Sequence, residues 1–217
     1  METTFDLELN EISPSLFMLP WIGPNYKNTQ LLFLGESEYD DGTLFHKNWK
    51  REWIQNERIL DTKKDSRLIN KIDETILRKN IDSDNQRKLW NAIAYTNLVQ
   101  RPMDWNESKE DKPNDDDLLL GWETILKALL VLKPKYIIKW GILGDGTLRG
   151  NVFKQKYLGW EYEDIDGDRF LSLKHSSGFE TKILFVHHPS WRFFNASDTS
   201  ERIFNSLPEL DKIITSL

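Results

Sequence analysis

Four short strand-like runs divide the chain: 30–35, 95–99, 136–140 and 183–186. They are apolar with little alternation, the pattern of strands buried on both faces of a parallel sheet. Between them the spacing turns helical. In 118–132 the apolar positions are 118, 119, 122, 125, 126, 129 and 130, a helical period that Lys133-Pro134 stops. Residues 86–93 read as a shorter helix, the second half of 46–80 as an amphipathic one, and 198–217 as a closing helix interrupted at Pro208. The stretch 104–117 is acidic, contains proline and carries almost no apolar side chain, which predicts a surface loop. Asp164, Asp166 and Asp168 around Gly167 lack calcium-loop spacing and fit a turn between two strands. Gly144, Gly146 and Gly150 match no nucleotide motif and fit the start of a helix. Strands alternating with helices predict an α/β protein, a three-layer α/β/α sandwich around a central, mostly parallel four-stranded sheet. The expected organisation is one domain, 1–217, with an insertion at 46–85 that suits a lid or a substrate-reading element.

Composition narrows the chemistry. With 39% apolar and 29% charged residues the chain reads as globular, and nine Trp exceed what a core of this size usually holds. The absence of cysteine excludes disulfides, thiolate metal sites, cysteine-held iron–sulfur clusters and a Cys nucleophile, and fits a reducing cytoplasm. Neither a leader-like N-terminus nor an apolar run of about 18 residues is present, so the expectation is a protein without a membrane span. The net charge of −6 opposes nucleic-acid binding unless cations cluster locally. Candidates for such a patch are Lys47, Lys50 and Arg51, then Arg78, Lys79, Arg87 and Lys88, and finally Arg192.

Candidate chemistry gathers where the strands end. LLFLGESEYDDGTLF at 31–45, AYTNLVQRP at 94–102 and ILFVHHPSW at 183–191 each run from a strand into a polar turn. In an open α/β sheet the carboxyl ends of strands share a crevice, so Glu36, Asn97 and His188 are expected to meet. Taken singly, a Glu after a strand is a common cap, an Asn is common turn chemistry, and a buried His is commonly satisfied by backbone. Strand alternation points His187 away from its neighbour. Trp90, Trp105, Trp122, Trp140 and Trp160 are assigned to core or rim.

These motifs resemble the uracil-DNA glycosylase superfamily, most closely its cluster-containing branch. That branch has a G-E-x-P-G turn after the first strand, a strand ending T-N with R-P close behind, an L-x-P before a strand ending in Gly, and a late H-P-S. The chain carries Gly35-Glu36-Ser37-Glu38-Tyr39, Thr96-Asn97 with Arg101-Pro102, Leu132-Lys133-Pro134 leading to Gly141, and His188-Pro189-Ser190. The match frames about residues 29–195 and leaves the 46–85 insertion and the last helix outside.

The resemblance implies a monofunctional DNA glycosylase. Glu36 would orient the attacking water and stabilise cationic sugar, while His188 would bond the leaving base. Phe45, after Gly42, would stack on the extruded base, Asn97 would read its edge, and Tyr39 stands where the family excludes a 5-methyl group. Ser190, Trp191 and Arg192, with Phe193, would contact DNA, an apolar ring entering the duplex beside a cation. The implied partner is DNA, the protein a monomer, and no cofactor or metal is called for.

Departures from the family pattern leave alternatives open. Ser37-Glu38 replaces the segment that carries proline, so Glu38, Asp40 or Asp41 is an alternative working carboxylate. The branch's cluster cysteines are absent. Uracil is the default substrate, and modified cytosine of phage DNA, attacked in antiviral defence, is the alternative. A catalytically silent binding module and a hydrolase of small nucleotides stand beside both.

Overall fold

The computed structural model describes residues 1–12, 14–40, 45–60, 66–78, 81–106, 109–152, 159–167 and 169–217. Asp41, Gly42, Lys79 and Asp168 therefore lie outside the described residues. The strands are β1 (Trp21–Ile22), β2 (Leu31–Gly35), β3 (Glu38–Asp40), β4 (Ile93–Asn97), β5 (Pro102–Asn106), β6 (Lys109–Glu110), β7 (Tyr136–Trp140), β8 (Trp160–Asp164), β9 (Phe170–His175) and β10 (Glu180–Val186). The helices are α1 (Asp6–Glu11), α2 (Tyr26–Thr29), α3 (Trp49–Ile54), α4 (Arg67–Leu77), α5 (Ser83–Ala92), α6 (Asp115–Leu132), α7 (Asp145–Thr147), α8 (Ala196–Ser206) and α9 (Pro208–Thr215).

The main sheet has seven strands in the order β1-β4-β2-β7-β10-β9-β8. β2 pairs in parallel with β4 and β7, and β7 with β10. The four strand-like runs of the sequence supply these pairings, with the run expected at 95–99 lying at 93–97, so that Asn97 closes β4 and Leu98 and Val99 enter the turn. The expected four-stranded sheet is corrected to a mixed one, because β1 joins β4 antiparallel and β9 and β8 continue antiparallel from β10. β1 is two residues long, too short to show a period, and β8 is mostly polar, pairing through its backbone. The turn between β8 and β9 falls where the Asp-Gly cluster predicted one, with Gly167 at φ 72°.

A second correction concerns 104–117. Instead of a plain loop, β5 pairs in parallel with β3 and antiparallel with β6, and α6 begins at Asp115. Asn114 and Asp117 form a capping box, and the three acidic residues of the first turn face the positive end of the helix dipole. Acidic composition here marks a helix start.

Alternation along each central strand sends residues to opposite faces. Leu32, Leu34, Ala94, Ile137, Ile183 and Phe185 pack with Trp122, Ile125 and Leu129 of α6. Phe33, Tyr95, Ile138, Trp140, Leu184 and Val186 pack with Ile69, Ile72 and Ile76 of α4 and Ile203 of α8. Helices thus cover both faces, and each fully buried Leu, Ile or Phe contributes about 1.5–3 kcal/mol. Trp90, Trp122, Trp140 and Trp160 are all buried, as assigned from sequence.

The segment 46–85 holds α3, a π-helical turn at Gln55–Ile59, and α4. Two of its candidate phosphate-binding cations are internal. Lys50 is 1% and Arg51 4% exposed, and Arg51 is bonded to both carboxylate oxygens of Asp6 and to the Pro20 carbonyl. Arg87 bonds Asp84 and the Ile59 carbonyl, and Arg78 pairs with Asp211 at 3.2 Å. Lys50 and Arg51 are therefore not available to a basic surface patch.

Candidate functional site

The carboxyl ends of β2, β4, β7 and β10 lie side by side, and the chain order reverses at β2, which has β4 on one flank and β7 on the other. This is where an open α/β sheet leaves a crevice. A cavity of about 110 Å³ occupies it, lined by Glu36, Glu38, Asn97, Trp140 and His188, with Trp53 and Tyr95 among its walls. The turn after β2 is latched to the turn after β4. Leu98 N–H donates to the Gly35 carbonyl at 3.0 Å and Val99 N–H to the Glu36 carbonyl at 2.8 Å.

Glu36 is held from the β7 side. Its Oε1 accepts from the Leu143 N–H at 3.1 Å. Gly141, at φ 100°, leaves room for it, since a Cβ there would meet Oε1 at 1.9 Å. At the end of β7, Lys139 is fully buried and its Nζ donates to the carbonyls of Trp140, at 3.1 Å, and Gly141, at 3.3 Å. Burial pulls the Lys139 amine down to about 8, against the opposing pull of Glu36.

Asn97 is 2% exposed, and its Nδ2 donates to Glu38 Oε2 at 3.1 Å. A carboxylate facing an amide at neutral pH only accepts, so the nitrogen must face Glu38 and Oδ1 must face the other way. Asn97 Oδ1 and Trp140 Nε1 are buried with no hydrogen-bond partner among the described residues. Both residues line the cavity, and buried polar groups of this kind are costly to leave bare. Oδ1 also fixes Gly35, where a Cβ would meet it at 2.3 Å.

Glu38 is ion-paired with the buried Lys50 as well. The Lys50 Nζ lies 5.0 Å from the Trp49 ring, 4.7 Å from Trp53 and 5.0 Å from Tyr95, a cation boxed by three rings. Burial lowers the Lys50 pKa and Glu38 resists the shift.

His188 presents a defined face. Its Nδ1 accepts from the Ser190 N–H at 3.2 Å and lies 2.6 Å from Ser190 Oγ. A neutral ring that accepts at Nδ1 carries its proton on Nε2, a donor. Burial pushes its pKa down; Glu36 opposes this, and Lys139 and Lys71 add to it.

The sequence candidates separate into an inner and an outer group. Glu36, Asn97 and His188 share the cavity wall. Tyr39 is not among the residues lining it and packs on the cluster beneath the α6 face, because β3 turns it that way. Phe45 is half-buried with its ring centroid 4.7 Å from Trp49, which stacks at 5.7 Å on Trp53 of the cavity wall. Trp191 is 43% exposed and stacks on His187 at 4.1 Å, while the Arg192 guanidinium lies 4.4 Å over Phe193, itself 62% exposed. Ser190 braces His188 from an exposed position.

Comparison with known proteins adds no relative. No protein-family model matches the chain, and no curated protein matches it. Function must therefore be argued from the site. Among the described residues no three His, Asp or Glu side chains are grouped to hold a metal ion, and no helix is long and apolar enough to cross a membrane.

No motif marks Lys139 or the burial of Lys50. A lone Lys inside YIIKW, where every neighbour is apolar, was the available signal for the first. Nothing comparable marked the second, because WKRE looks like the exposed start of a helix.

Proposed function

We propose that the protein is a monofunctional DNA glycosylase, similar to the uracil-DNA glycosylase superfamily, that hydrolyses the N-glycosidic bond of uracil or a modified pyrimidine flipped into the strand-end cavity. The convergence of Glu36, Asn97 and His188 from three separate strands on one cavity carries the reading. At about 110 Å³ the cavity is below the roughly 300–1,000 Å³ of ordinary ligand pockets, which suits one ring better than a whole nucleotide.

In this mechanism the sugar C1′–N bond breaks and its electron pair leaves with the base. The Nε2–H of His188 bonds the anion that develops on the base, and the Glu36 carboxylate faces the cationic sugar. A water oxygen then bonds C1′ and gives its proton to Glu36. Asn97 offers Oδ1 to a donor on the base edge. Lys50 and Lys139, the lysines buried among the described residues, are both engaged, Lys50 with Glu38 and Lys139 with carbonyls, which supports hydrolysis over Schiff-base chemistry. DNA would lie across the exposed Trp191, Arg192 and Phe193.

Abasic-site formation on oligonucleotides carrying uracil, hydroxymethylcytosine or glucosylated hydroxymethylcytosine, single- and double-stranded, tests the proposal. Release of one base establishes the reaction and chooses between uracil and modified cytosine. Absence of release from all of them, with DNA affinity intact, leaves the silent binding module, a reading favoured by the Glu38–Lys50 pair at the base-reading Asn97.

Two variants follow from the geometry. Gly35→Ala places a methyl against Asn97 Oδ1, and a displacement of about 1 Å costs on the order of 100-fold in rate, so release should fall while the fold is kept. Trp191→Ala removes an exposed ring and should weaken duplex binding about tenfold, within the roughly 1–3 kcal/mol of one base–aromatic contact, with an unchanged melting temperature. Abasic-site formation reads the first effect, fluorescence anisotropy the second, and thermal denaturation checks that both variants keep the fold.

A further inference from the structure

We propose that Lys139 is the positioning residue of the Glu36 carboxylate, holding the turn that seats it. The proposal rests on Glu36 and His188 being the hydrolytic pair.

The position itself argues for it. In the sheet register Lys139 lies beside Leu34 on one strand and Phe185 on the other, and Ile137 precedes it on the same face. All three pack in the apolar cluster or line up with it, so an apolar residue would fill position 139 without desolvating a charge. A fully buried ammonium is tolerated only when its partners are good. Its partners here are the carbonyls of Trp140 and Gly141, the residues that open the turn after β7.

That turn converges on a single carboxylate. Gly141 presents its bare Cα to Glu36 Oε1, and two residues later the Leu143 N–H bonds the same oxygen. The ammonium thus fixes the first two residues of a loop whose later part grips Glu36. The charges that act on Lys139 and its surroundings are Glu36, which raises its pKa, and His188, whose other charged neighbour is Lys71. Lys139 adds to burial in lowering the His188 pKa, so deleting the ammonium should let it rise.

The test uses Lys139→Met and Lys139→Gln in the full chain, the glutamine keeping a donor for the carbonyls without the charge. Thermal denaturation checks that both are folded at the assay temperature: Lys139→Met leaves two carbonyls without their donor and should melt lower, while Lys139→Gln keeps that donor and should melt closer to the wild type. In both, kcat for base release should fall by at least about tenfold with KM for the oligonucleotide nearly unchanged, the split expected when a group acting only in the transition state is misplaced. The NMR titration of His188 should move upward towards the usual imidazole range, and the acid limb of the rate profile should move with it. Wild-type kcat, an unmoved acid limb and an unmoved His188 titration in folded variants would overturn the proposal. If the wild type releases no base from any substrate, the hydrolytic reading has failed. The turn itself then decides: weakened exchange protection of the Leu143 N–H in the folded variants keeps Lys139 as the residue that holds the Glu36 turn, and unchanged protection overturns it.

Discussion

Glu36→Gln is expected to lower base release by about 100- to 10,000-fold, the range for loss of a positioned acid–base group, while leaving DNA affinity and melting temperature unchanged. Glutamine keeps the length of the side chain, and its amide oxygen can still accept from the Leu143 N–H that holds Oε1 at 3.1 Å. What it loses is the negative charge facing the sugar and the capacity to take a proton from water. The effect should therefore fall on kcat. Single-turnover kinetics at saturating enzyme, beside anisotropy titrations of the same oligonucleotide, separate the two quantities. A fall in affinity that accounts for the lost rate would assign Glu36 to binding.

Asp73→Ala is expected to cost about 3–5 kcal/mol of stability, the typical result of stripping the partner from a buried charge. Asp73 is fully buried on α4, where it accepts from Trp90 Nε1 at 2.7 Å and Gln86 Nε2 at 2.9 Å and pairs with Arg58 at 3.0 Å. Arg58 is 3% exposed, so the alanine variant leaves a guanidinium inside with Asn70, the Glu57 carbonyl and a Glu57 carboxylate oxygen at a long 3.5 Å as its partners. For a chain of this size each kcal/mol shifts the melting temperature by roughly 2–4 °C, so a fall on the order of 10 °C should be seen. Urea denaturation at neutral pH reads it directly.

The same carboxyl gives a signed pH dependence. Burial pushes its pKa up to about 6 from 3.8, even with Arg58 opposing. Between those values the folded chain binds more protons than the unfolded one, so this group's contribution is fullest below about pH 4 and declines as pH rises to about 6. Asp73→Asn should remove that decline, and an unchanged pH slope in the asparagine variant would show that another group causes it.

Strand β7 shows what a sequence pattern can and cannot carry. Its boundaries, 136–140, were legible because five consecutive residues between Pro134 and Gly141 have no polar break except Lys139, and burial on both faces writes that run. The role of that one exception was illegible, since its partners are backbone carbonyls and a carboxylate more than a hundred positions away. Glu36, Asn97 and His188 were legible together because each follows a recognisable strand, and parallel strands put such residues at one edge of the sheet.

Tyr39 and Lys50 were not, for a common reason. β3 pairs with β5 inside a stretch whose composition signals loop, so nothing local showed that Tyr39 would pack on the apolar cluster instead of lining the cavity. Lys50 sits in α3, which at six residues is shorter than two turns, so no 3.6-residue period assigns it a face. Its burial is decided by Glu38 and three rings contributed by other elements as well as its own.

The most direct test of the strand-end cavity as a base-excision site is chromatographic detection of free base under single-turnover conditions, with wild type, Glu36→Gln and His188→Ala at equal bound fraction. The account predicts release of a single pyrimidine by the wild type and loss of that release in both variants at unchanged affinity. Release that persists in both variants would place the chemistry elsewhere, and no release by the wild type from any of the oligonucleotides would contradict the glycosylase reading.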